Sequence, residues 1–272
     1  MVIRLLNVSI LLIAVCFSGL SSANEAITDL RTLHKLQLDL LEAASLFHRY
    51  QGSEGNKKFY TSITDLLDDV KKSLSESEAA LIRHNLTAEA QTLKSNATTY
   101  IKNLNTALAA IKNGGFADFS IIDAYLGAHD TMLKALNDSY QAIATSGSYN
   151  IPPLVTALRN ETLLMQKMYA KYIESSSSQF GYTPRSGQED AETIDQLAAR
   201  FSRNLDKLKQ DIPVNSAYAS RINDVKTKWL FLEKSFLNYT EQTVPYLITK
   251  FGKQIISELS AIADEMEGVA SN

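Results

Sequence analysis

Four histidines, His34, His48, His84 and His129, are the first places to look for catalysis or metal binding. None has an Asp or Glu three residues before it, so the Glu-x-x-His pairs that hold di-iron centres in helical bundles are missing. No two histidines stand four apart, and the single cysteine, Cys16, falls in an apolar N-terminal stretch, so zinc has no local signature. There is no Gly-x-Ser-x-Gly elbow and no glycine-rich phosphate loop. Asp65, Asp68 and Asp69 read as the solvated face of a helix, and Asp264, Glu265 and Glu267 invite the same reading. These absences predict a protein that is not an enzyme and uses no cofactor or metal.

Binding is the better use for the remaining polar residues. Arg159 and Gln166 are seven apart and share one face of a helix, with Lys167 turned about 100° further round. A small anion or carboxylate would sit between Arg159 and Gln166 of two chains, as in a homodimer, or between two bundles of one chain. The bland alternative is an interface or solvent-facing stripe. Trp229, Phe231, Phe236, Tyr239, Tyr246 and Phe251 gather near one helical hairpin, where they form either core or a ring-lined pocket, with Trp229 and Tyr246 as its site candidates. Asn-x-Ser/Thr sequons occur at Asn7, Asn85, Asn96, Asn137, Asn160 and Asn238, and would matter in a eukaryotic host.

The elements that must carry these residues are helices. The chain has only 5 prolines and 11 glycines in 272 residues, and apolar residues recur at helical spacing throughout. The organising stretch is 152–178, where two prolines suit a first turn and Leu154, Leu158, Leu164, Met165, Met168, Tyr169, Tyr172 and Ile173 line one face. Before it the pattern predicts helices over about 24–50, 58–82, 87–112 and 119–144, with Thr87 as an N-cap and Asn113-Gly114-Gly115 as a stop. After it come a loop at 179–188, helices at 189–211 and 216–242, and a last helix opened by Thr243-Val244-Pro245.

The expected fold is all-α: two four-helix up-down bundles, residues 24–146 and 152–268, of the kind short loops produce. Overlaid at an offset of roughly 130 residues, Leu66, Val70 and Leu74 fall on Leu197, Phe201 and Leu205, which suggests an old internal repeat. End-to-end stacking is the preferred arrangement, because the short linker would let the fourth helix run nearly into the fifth.

Residues 1–23 read as a secretory signal, with Arg4 before an apolar run and Ser21-Ser22-Ala23 at the cleavage positions. The expected product begins at Asn24, is exported to a bacterial periplasm, lacks cysteine and has no membrane span. Net charge is −3, with signs interspersed and no basic stripe for nucleic acid.

The second half, about 152–268, resembles the PilJ-type N-terminal sensor domain of type IV pilus methyl-accepting chemotaxis transducers, itself related to the bundle of nitrate-sensing kinases. The stretch carrying the likeness is Asn160-Glu161-Thr162-Leu163-Leu164-Met165-Gln166-Lys167-Met168, set against a family motif close to Arg-Gln-Arg-Met-Leu-Ser-Gln-Arg-Met. Leu164, Gln166 and Met168 agree and Lys167 keeps a positive charge. Both leading arginines are absent, and Arg159 lies one position off. In the first half the same frame retains Arg31 and Gln37. The pair of bundles is also similar to helical bimodular sensors. The resemblance implies a sensor-like protein that binds a small ligand and hands a signal to a membrane transducer or kinase, with Arg31, Gln37, Arg159, Gln166 and Lys167 as its polar contacts. Loss of the leading arginines argues against nitrate. The competing expectation is a structural or protein-interaction bundle with no small-molecule ligand.

Overall fold

The computed structural model describes residues 2–147, 149–177, 192–240 and 244–270, with side chains from residue 23 to residue 268 within those ranges. The described residues form eight helices and no strand: α1 (Val2–Gly52), α2 (Lys57–Arg83), α3 (Thr87–Gly114), α4 (Phe119–Ala144), α5 (Pro153–Ser177), α6 (Ile194–Asp211), α7 (Ala217–Leu237) and α8 (Pro245–Ala270). The protein is all-α. The expected loop at 179–188, Thr243 and the side chains of the expected leader, Cys16 included, lie outside the described residues; the helix expected from 189 begins only at Ile194, because Thr193 and Gln196 form a capping box there.

Spacing explains the helices. In α2, Ile63, Leu67, Val70, Leu74 and Leu81 are buried at intervals of three, four and seven, and α6 buries Leu197, Phe201, Leu205 and Leu208 in the same way. The ends are chemically marked. Gly55, at φ 94°, turns the chain ahead of α2, whose first N–H groups include one that donates to Asn56 Oδ1 at 3.0 Å. Gly115, at φ 79°, closes α3, and its N–H reaches the Ile111 carbonyl at 2.8 Å.

Three further expected boundaries move. The first helix does not begin at 24 but is continuous from Val2 through a stretch that has no proline and only Gly19 as a strong helix breaker. Thr87 is not an N-cap: Leu86 holds that position, and Asn85, at φ 61°, makes the turn. The seventh helix ends at Leu237, five residues early, where the Asn238 N–H caps back onto the Lys234 carbonyl.

Helices α1 to α4 close one ring, in which α1 packs against α2 and α4, and α3 against the same two. Helices α5 to α8 close a second ring with the same order of neighbours. Each ring has its own apolar core, one centred on Leu36, Tyr100 and Tyr125, the other on Met165, Phe201 and Trp229.

The rings are not stacked end to end. α1 lies along α5, and contacts run the length of the pair: Arg31 and Arg159 meet the same carboxylate at one end, Glu42 meets Gln166 in the middle, His48 stands 3.9 Å from Glu174, and Gly52 abuts Ser177 at the other end. The two helices therefore run parallel and the bundles lie side by side. Two features of the sequence enforce this. Pro152 cannot continue α4, and the turn before it, with Gly147 at φ 81°, reverses the chain. In addition, α5 carries too many buried residues for one ring: Val155, Leu158, Arg159, Glu161, Thr162, Leu164, Met165 and Gln166 are all buried within three turns. A helix buried on nearly every side needs neighbours on every side, and α1 supplies the missing one.

Candidate binding groove at the seam of the bundles

Arg159 projects from α5 at a position in phase with Val155 and Thr162, which places a guanidinium where an apolar side chain would be expected. It is 2% exposed. Its Nη2 donates to Glu267 Oε2 at 2.6 Å, and its Nη1 donates to the Tyr140 hydroxyl at 3.1 Å. Arg31 approaches from α1, and its Nε donates to the same Glu267 oxygen at 2.7 Å. Arg31 Nη2 also donates to the Asp264 carbonyl at 2.6 Å, and Asp264 Oδ1 stands 3.4 Å from Arg31 Nε. Four helices, α1, α4, α5 and α8, thus meet at one charged node.

Glu267 is fully buried. An isolated carboxylate there would be very costly; two arginines on one oxygen are what make its burial tolerable. Four buried polar atoms at the node have no hydrogen-bond partner: His34 Nε2, Tyr149 Oη, Arg159 Nε and Glu267 Oε1. Burial first, and the Arg159 charge second, hold the His34 imidazole down at about 3, so it is neutral at pH 7. Tyr149, from the linker, has its phenol pushed up by burial and by the Glu267 charge.

A groove of about 360 Å³ opens onto this node. Arg31, His34, Lys35, Arg159, Ser260 and Asp264 are among the residues that line it. Its volume is at the lower end for small-molecule sites, which run from about 300 Å³ upward. The arrangement presents charged and hydroxyl-bearing side chains to the groove. Among the described residues no group of three or more His, Cys, Asp or Glu is placed to hold a metal ion, and no helix is long and apolar enough to cross a membrane.

Of the residues singled out from the sequence, Arg31 and Arg159 come together here. Gln166 lies further down the same seam, where its Nε2 donates to Glu42 Oε2 at 3.2 Å while Lys253 holds Glu42 Oε1 at 2.6 Å. Gln37 is buried and does not line the groove. Lys167 is exposed.

The aromatic group does not form one pocket. Trp229 is buried in the second core, stacked on Phe236 at 5.5 Å and edge-on to Phe201 at 4.7 Å, with its Nε1 donating to Ser202 Oγ at 2.7 Å. Phe231 meets Phe251 at 5.1 Å, and Tyr246 is 73% exposed.

Glu267 was misread from the sequence as part of a solvated acidic face. Asp264 and Glu265 do carry half-exposed carboxylates, but Glu267 faces inward. The signal was present: Ile255, Leu259, Ala263 and Glu267 are successive fours on one stripe, so the last member is an acid in a core register. His34 and Tyr140, which the charge pattern alone does not mark, were missed as site residues.

No protein-family model, no curated protein and no solved structure matches this chain.

Proposed function

We propose that this chain is a non-catalytic, exported, sensor-like protein that binds a small carboxylate-bearing ligand in the groove between its bundles and relays occupancy to a membrane transducer or kinase. The observation that carries this reading is Arg159, nearly fully buried, with an unpaired Nε at the floor of a groove that Arg31 enters from the opposite bundle. Parallel α1 and α5 support it, since they bring corresponding helices of the two halves together as the first helices of a dimer would be. One chain then carries both sides of the site, and a homodimer is not required for it. The PilJ-type likeness of residues 152–268 is consistent with this use, and the leader-like residues 1–23 support export to a periplasm.

Thermal unfolding in the presence of nitrate, nitrite and small carboxylates tests the proposal. A ligand that binds only the native state raises Tm by mass action, by an amount that grows with its concentration. The expected result is a rise with at least one carboxylate that Arg159→Lys abolishes. No rise with any compound contradicts it.

One observation favours the second reading, a structural or interaction bundle. Glu267 already supplies a carboxylate to both arginines, as a ligand would. Under that reading no small molecule shifts Tm, while a partner protein still binds.

A further inference from the structure

The charges at the head of the seam say more about the ligand than its having a carboxylate. Arg31 and Arg159 are balanced by Asp264 and Glu267, all within one chain of contacts. Lys35, also at the groove, is paired with Asp39. The node therefore has no excess of either sign. A simple anion that approaches the arginines also approaches two carboxylates, and a simple cation meets the reverse problem.

The unsatisfied atoms carry the same message. Arg159 Nε is a donor without an acceptor, and Glu267 Oε1 is an acceptor without a donor. Both belong to side chains more than nine-tenths buried, as does the unpartnered Nε2 of His34, which can serve as donor or acceptor according to tautomer. Buried polar atoms in folded proteins almost always find partners, so an open donor on a side chain that lines the groove, with an open acceptor on its ion-pair partner, marks a place for a small polar molecule. Hydroxyls of Thr28, Thr32 and Ser260 also border the groove; those of Thr28 and Thr32 donate to the Asn24 and Thr28 carbonyls and so can accept from an ammonium.

Resting on the binding reading above, we infer that the groove takes a small zwitterion, of the α-amino acid class, with its carboxylate toward Arg31 and Arg159 and its ammonium toward Asp264, the acidic residue that lines the groove. Its net charge of zero matches the node, and its carboxylate offers an acceptor to the open Nε of Arg159, which lines the groove. Glu267 then stays paired with the two arginines behind the groove and is not displaced by the ligand. His34, being neutral at pH 7, adds no third positive charge that would favour a plain anion.

The test is a thermal-shift screen of the full chain against the common α-amino acids at millimolar concentration. Each is set beside the carboxylic acid lacking its amino group and the amine lacking its carboxylate, with nitrate and acetate as simple anions. At least one amino acid is expected to raise Tm, with neither of its one-charge analogues doing so. Asp264→Asn, whose carboxylate is half exposed and whose fold circular dichroism checks, is expected to weaken that amino acid's affinity by roughly tenfold or more, as loss of a charged hydrogen-bond partner does. An equal shift from a carboxylic acid, an amine or nitrate overturns the zwitterion assignment; where a carboxylic acid gives that shift, the binding reading still stands. Unchanged affinity in Asp264→Asn also overturns the assignment. No shift from any compound overturns both.

Discussion

At the scale of single residues, the molecule holds two buried titratable groups whose pH effects oppose each other. Glu161 accepts from Asn204 Nδ2 at 2.7 Å on one oxygen, while its other oxygen has no partner. Burial, against the weaker pull of Asn204 and Arg200, pushes its carboxyl up to about 7. The folded state then keeps a proton that the unfolded chain has released, so stability falls as pH rises from the ordinary carboxylate range to about 7, by about 3 kcal/mol in all. His34 works in the other direction. Its imidazole, held at about 3, stays neutral where the unfolded chain is protonated, so stability falls as pH drops below the ordinary imidazole value near 6.5. Between about pH 4.5 and 6.5 the two one-proton slopes cancel. Urea midpoints across that window should be nearly flat in the native sequence, rise with pH in Glu161→Gln and fall with pH in His34→Gln. Parallel profiles in all three proteins would rule this out.

Glu267 belongs to the same scale. Replacing it with alanine leaves two arginines, one of them buried, without their shared counter-charge. The expected loss is about 3–5 kcal/mol, the usual consequence of breaking a buried ion pair from one side. Denaturant unfolding measures it; a loss below about 1 kcal/mol would mean that the carboxylate is exposed in solution.

Among the helices, α1 and α5 come close at their C-terminal ends. A Cβ built on Gly52 would stand 2.7 Å from the Ser177 carbonyl oxygen and 3.0 Å from Ser177 Cβ. Nothing at Gly52 demands an unusual φ, so the constraint is purely one of space. Gly52→Val must push α1 off α5 and should cost about 1–3 kcal/mol by overpacking. Gly252 offers a control, since its added Cβ would meet only the flexible Met165 Cε at 3.2 Å, and Gly252→Ala should be close to neutral. Equal effects at the two glycines would contradict the close seam.

Helix identity and most helix ends could be read from the sequence because they depend on local information: apolar spacing, Gly115, Pro152 and Pro213. The seam could not. Whether two bundles stack or lie alongside depends on how much buried surface remains on α1 and α5 after each ring is closed, and that is a sum over the whole chain. The same limit applied at the groove. Arg31 and Arg159 were legible as candidates, but their meeting point was not, because Glu267 lies 108 residues from Arg159 and 236 from Arg31. The one local clue to Glu267 was its phase with Ile255, Leu259 and Ala263. Trp229 shows the opposite error, an aromatic that is prominent in sequence and spent on core packing.

At the scale of the whole molecule, one chain is built like two subunits joined through their first helices. Four helices suffice for a ring, yet α5 is buried on the sides that face α1 as well. Separating the halves at the linker would therefore leave each with an exposed apolar and charged stripe. Residues 24–150 and 151–272 made as separate polypeptides should associate with one another at micromolar concentration or aggregate alone, by analogy with obligate interfaces. Light scattering decides this, and two stable, non-interacting monomers would argue against the shared seam.

Arg159 and Glu267, both buried, form a single charged unit with the partly exposed Arg31 of the other bundle. A double-mutant cycle tests it most directly, using Arg159→Met, Glu267→Gln and the pair, each unfolded in urea at pH 7. The account predicts a coupling energy of about 1 kcal/mol or more, so that the double variant is clearly less destabilised than the sum of the single ones. Additive losses, within about 0.5 kcal/mol, would mean that the two side chains do not meet and that the seam is not assembled as described.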